Sequence, residues 1–80
     1  MVVLEFTIEP FVDGHPGRHV TEAIVAASAL AVDVEVGPFG TSCRAPLDVA
    51  GNVARAVIDA AFAHGATHVS LHVELPAGDA

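Results

Sequence analysis

Four stretches of this 80-residue chain alternate apolar and polar residues with a period of two, and two others repeat apolar residues every three or four positions. A strand sends successive side chains to opposite faces, whereas a helix gathers positions i, i+3 and i+4 on one face. The two rhythms therefore set the order strand, helix, strand, strand, helix, strand. The first run, 2–9, places Val2, Leu4, Phe6 and Ile8 on one face and Val3, Glu5, Thr7 and Glu9 on the other. Pro10 ends it, and the Gly/Pro-rich stretch 13–17 is turn chemistry. A helix is expected over about 18–31, with Val20, Ala23, Ile24, Ala27, Leu30 and Ala31 as its apolar stripe. Val32, Val34 and Val36 then alternate with Asp33 and Glu35, and Gly37-Pro38-Phe39-Gly40 turns the chain into a strand at 41–44, forming a hairpin.

Pro46 and Asp48 open the second helix, because proline is tolerated in a first turn and a carboxylate there can accept free backbone N–H groups. Val53, Ala54, Val57, Ile58, Ala61 and Phe62 form its stripe, and Gly65 suits the left-handed position just past its end. In the last run, 67–75, Val69, Leu71, Val73 and Leu75 alternate with His68, Ser70, His72 and Glu74, leaving 76–80 as a frayed tail.

This order predicts an α+β, ferredoxin-like βαββαβ sandwich: one domain over 1–80, with a four-stranded antiparallel sheet and both helices on one face. Its usual topology puts the first and third strands in the middle. The apolar alternates must then meet the helices, which leaves Glu5, Thr7, Asp33, Glu35, His68, Ser70, His72 and Glu74 on the opposite face. Phe11, Phe39, Thr41, His64 and His68 are expected at one end of the sheet. The two loop phenylalanines there either form a lip that stacks a ring or, as the commoner arrangement, fold back onto the core.

A hydrophobic fraction of 52% suits a single compact core. A domain this small buries only about 60% of its unfolded surface, so covering a sheet face with a second copy would stabilise it. Ten acids against three basic residues give a formal charge of −7, which repels phosphate backbones and anionic lipids and admits a cationic ligand. Neither nucleic acid nor membrane is an expected partner. The lone Cys43 excludes an intrachain disulfide and a cysteine-cluster metal site, and fits a reduced, cytoplasmic setting. Met1 leads straight into the first strand without a basic start or a long apolar stretch, so neither export nor membrane spanning is expected.

Several chemistries find no pattern. Gly14-His15-Pro16-Gly17 lacks the spacing and lysine of a phosphate loop, and no Ser/His/Asp set is recognisable. Cys43 beside Arg44 in a strand reads as structural rather than nucleophilic. Five histidines raise the question of a metal, yet His68 and His72 would lie about 13 Å apart along one strand face, too far to share an ion. His15 and His19 could meet only if the helix began early, and solvated or capping roles suit them better. The acids of the free face are the stronger signal. Glu5 falls on a central strand, where a carboxylate requires either water and counterions such as Arg44 and His72, or a partner subunit closing a cationic ligand against it.

Three segments resemble the small cytoplasmic thiamine-binding proteins, including the YkoF-like proteins: Glu5-Phe6-Thr7-Ile8-Glu9-Pro10, Gly37-Pro38-Phe39-Gly40-Thr41 and Ala60-Ala61-Phe62-Ala63-His64-Gly65-Ala66. The resemblance implies a ferredoxin-like fold, association through the sheets into a homodimer or homotetramer, and binding of thiamine or its hydroxymethylpyrimidine part without conversion. No cofactor or metal is implied beyond thiamine itself as bound ligand. Two positions depart from the family's pattern by reversing charge: Arg44-Ala45 stands where Glu-Gly is frequent, and Glu74 where a lysine is frequent.

The polar contacts expected for such a ligand are Glu5, Thr7, Glu35, Thr41 and Ser70, with Phe39 stacking on a ring. The same scaffold also fits a small dimeric α+β-barrel enzyme, an isomerase or oxygenase using His72 and Glu5 as its acid–base pair, or an assembly domain that binds nothing small.

Overall fold

The computed structural model describes residues 1–11, 14 and 16–78. Its elements follow the expected order: β1 (Val2–Glu9), α1 (Arg18–Ser28), β2 (Val32–Val36), β3 (Thr41–Ala45), α2 (Leu47–Ala63) and β4 (His68–Glu74). The strands form one sheet in the order β2-β3-β1-β4, with every neighbouring pair antiparallel. This is the ferredoxin-like α+β arrangement.

One face of the sheet holds the core. Val2, Leu4, Phe6 and Ile8 of β1, Cys43 and Ala45 of β3, Ala23 and Ala27 of α1, and Val53, Val57 and Ala61 of α2 are all buried together. Burying an aliphatic side chain of this kind stabilises by roughly 1.5–3 kcal/mol, so this strip does most of the fold's apolar work. Many of the helix contacts are alanines, whose small side chains let α1 and α2 lie close to each other and to the sheet. Burial pushes the Cys43 thiol pKa up, because an anion would lose its hydration there.

Four local expectations are corrected. α1 stops at Ser28, three residues early, since Ala29, Leu30 and Ala31 turn back with N–H groups bonded to Val25 and Ala27 carbonyls. Leu30 is consequently exposed, and only Ala31 reaches the core. Asp48 makes no side-chain cap: the carbonyl of Pro46 accepts the N–H groups of Val49 and Ala50 instead.

β2 does not alternate uniformly either. Val32 pairs with Arg44 and Glu35 with Ser42, three residues apart on one strand but two on the other, so an extra residue is accommodated between them. Asp33 takes it up at φ 53, a left-handed conformation that a short polar residue tolerates. The result moves Val32 onto the face opposite the helices.

Finally, the loop phenylalanines do not fold back onto the core. Phe11 is 66% exposed and Phe39 87%. The turn expected over 13–17 includes Asp13 and His15, which lie outside the described residues, as do positions 79 and 80 of the tail.

Candidate functional site

The registers convert the free face into rows. Glu35, Ser42, Glu5 and His72 are successive cross-strand partners and span all four strands in one line. Strands about 4.8 Å apart put the two carboxylates of this row roughly 10 Å from each other, with the Ser42 hydroxyl between them. Thr7 and Ser70 form the next row, then Glu9 and His68. On the other side, Val32, Arg44, Val3 and Glu74 make a fourth row.

A groove of about 660 Å³ lies over the Glu35–His72 row and runs to the tip of the β2–β3 hairpin. Glu5, Thr7, Glu35, Phe39, Thr41 and Ser70 all line it, so the structure gathers every residue named from sequence as a ligand contact. Their directions differ. Thr41 pairs with Phe6, which points to the core, and is itself only 6% exposed, so its hydroxyl belongs to the covered side and touches the groove only at the hairpin end.

Ser42 is the groove residue that sequence reading missed. Alternation alone leaves the facing of a five-residue strand open, and only the pairing of Ser42 with both Glu5 and Glu35 places it. His72 also lines the groove, beside Glu5 and exposed.

The hairpin tip is held close to β1 by Gly40. A Cβ there would sit 2.9 Å from Thr7 Cγ2 and 3.0 Å from the Phe6 carbonyl oxygen, so only glycine allows this approach. The carbonyl of Gly40 accepts the Gly37 N–H at 2.8 Å and closes the turn, leaving Pro38 and Phe39 projecting from it.

Among the described residues no arginine compensates the charge in the groove. Arg44 Nη1 bonds Asp33 Oδ2 at 3.4 Å, Arg18 pairs with Glu22 and Arg55 with Asp59. Among the described residues neither Glu5 nor Glu35 has an ion pair, while Glu9 Oε2 lies 3.6 Å from His68 Nδ1. Arg44 and Glu74 flank Val3 from opposite neighbouring strands, so the two reversed charges sit about 10 Å apart and do not meet within one chain.

His19 and His64 make structural contacts where α1 begins and α2 ends, which is the hairpin-tip end of the sheet. His19 is buried and its Nε2–H donates to the Pro10 carbonyl at 2.6 Å. His64 Nδ1–H donates to the Ala60 carbonyl, leaving Nε2 to accept from Arg18. His64 thus packs against the start of α1, at the same end of the sheet as Phe11 and Phe39, where it is expected. Among the described residues no three His, Cys, Asp or Glu side chains converge in a way that would hold a metal ion, and no helix is long and apolar enough to cross a membrane.

No family model matches this chain, and no curated protein matches it. Among solved structures it is similar to a domain of unknown function, DUF77, from Bacillus cereus, with a TM-score of 0.69 and 25% sequence identity over 96% of this chain and 77% of that one. The likeness supports the ferredoxin-like fold over nearly the whole length.

Proposed function

We propose that this protein binds thiamine, or its hydroxymethylpyrimidine part, without converting it, and does so as a homodimer or homotetramer associated through the open sheet face. The observation that carries the reading is the groove: Glu5 and Glu35, neither with an ion pair among the described residues, share it with the Thr7, Ser42 and Ser70 hydroxyls and with an almost fully exposed Phe39. An aminopyrimidine edge offers a donor beside a ring nitrogen, which a carboxylate and a hydroxyl can address together. Thiamine's thiazolium cation offsets the acidic lining, and Phe39 offers a face for stacking. A second copy over the sheet would remove water from the groove and strengthen these contacts, as a low-dielectric site does. The groove's polar row, with Glu5 and His72 adjacent, needs no reaction to account for it.

Calorimetric titration with thiamine tests this. Saturable binding with the ligand recovered unchanged by NMR is expected, and Glu5→Gln should weaken it about tenfold, the loss of one charge-assisted hydrogen bond. No heat up to millimolar thiamine would sink the proposal. Light scattering on the same samples reports the assembly.

A further inference from the structure

A second groove, of about 580 Å³, lies behind the hairpin tip. It shares Thr7, Phe39, Gly40 and Ser70 with the first, so the tip is a common wall between them. Its own lining is different in kind. Among the described residues Ile8, Phe11, Pro16 and Val20 supply apolar surface, and Glu9 is the acid. Phe11 and Phe39 are two of only four phenylalanines in the chain, and both are exposed here. None of the three arginines lines either groove, and the chain carries a net charge of −7, so both favour a cation over an anion.

We infer that the second groove is a subsite for a second, cationic or electron-poor aromatic ring, so that the site takes a two-ring ligand in two parts: an amino-bearing polar ring over the Glu5–Glu35 row and the other ring against Phe11. This rests on the proposed function and assigns the ends of its ligand. Phe39 serves both parts, because it stands in the shared wall. Phe11 serves only the second. The chemistry is stacking and cation–π attraction, which reward a flat positive ring and leave a neutral single-ring ligand indifferent to Phe11.

Titrating the intact protein and its Phe11→Ala variant with thiamine and with 4-amino-5-hydroxymethyl-2-methylpyrimidine separates the two parts. Thiamine should bind more tightly than the pyrimidine alone, and Phe11→Ala should weaken thiamine about fivefold while leaving the pyrimidine within twofold, the scale of one aromatic contact. Phe39→Ala should weaken both. Equal losses on the two ligands with Phe11→Ala, or no loss on thiamine, overturn the inference and leave the binding function standing.

If neither compound binds the natural chain, the proposed function falls and the subsite is judged with N-methylacridinium, a flat aromatic cation. Quenching of its fluorescence that weakens with Phe11→Ala supports the subsite, and quenching that is absent or indifferent to Phe11 overturns it. A change in assembly mass with Phe11→Ala, without a change in ring affinity, would make the groove a subunit contact and overturn it too.

Discussion

The two faces of β1 are built from the same eight residues and are governed by different physics. Val2, Leu4, Phe6 and Ile8 are nearly inaccessible beneath the helices, and each position is held by what packs on it. Val3 is half-buried and Glu5, Thr7 and Glu9 are exposed on the outward face, and among the described residues no ion pair neutralises Glu5. Strand and sheet are therefore specified from one side only, which frees the other to be chosen for what it contacts.

The strongest way to break that contrast is to swap a neighbouring pair. Leu4 is 0% exposed, and Leu4→Ala should lower unfolding stability by about 3 kcal/mol through lost burial and an unfilled cavity. Glu5→Ala, one residue away, should change monomer stability by no more than about 0.5 kcal/mol. Urea unfolding of both variants checks this. Repeating it at two protein concentrations sharpens the comparison: if a second copy covers the open face, the natural chain and the Leu4 variant share one concentration dependence of the midpoint, and the Glu5 variant departs from it.

The hairpin tip stands where the two faces meet. Gly40→Ala should cost about 2 kcal/mol, because the new methyl meets the Phe6 carbonyl at 3.0 Å, and backbone cannot rotate away as Thr7 Cγ2 can. Since the tip also walls the groove, the same variant should weaken thiamine binding, and unchanged stability with unchanged binding would show that the tip is not clamped to β1.

A smaller loss tests a contact on the covered side. His19→Ala should cost about 1 kcal/mol, the worth of one largely sequestered hydrogen bond to the Pro10 carbonyl. Its hydrogen-exchange signature should be confined to the start of α1 and the end of β1. A Cβ at Gly17 would lie 2.6 Å from His19 Cε1, so Gly17→Ala should cause the same local loosening while leaving the histidine in place.

What could be read from sequence follows the same division. The order of elements and the buried alternates of β1 were legible because period-two and period-3.6 patterns report burial directly. The gathering of Glu5, Thr7, Glu35 and Ser70 was legible because strand alternation and the common topology fix which residues share a face. Features that depend on register or on backbone departures were not. The bulge at Asp33, the facing of Ser42 and the inward row of Thr41 are set by pairing between strands, which a single strand's pattern does not contain. His19 looked like a surface residue because its partner is a carbonyl nine positions away and its room comes from Gly17. The exposed Phe11 and Phe39 broke the usual expectation for aromatics, and it is there that the proposed ligand would take the place of core packing.

The smallest effect is carried by Cys43, on the covered face of β3. Burial raises its pKa above the ordinary 9.0. As pH rises, the unfolded chain therefore releases this proton before the folded one does. Its contribution is fully present below the unfolded thiol's pKa and is lost as pH climbs from about 9 through the higher folded value. No other side chain complicates the window, since the chain has no tyrosine and its three basic residues are all arginines. The urea midpoint of the natural chain should fall between pH 8.5 and 10.5 with a slope below about 1.4 kcal/mol per pH unit, the limit for one proton. Cys43→Ala, though less stable at every pH, should show a flat profile across the same range. A natural chain as flat as the variant would mean that water reaches the thiol, and that the covered face of the sheet is less closed than that of β1.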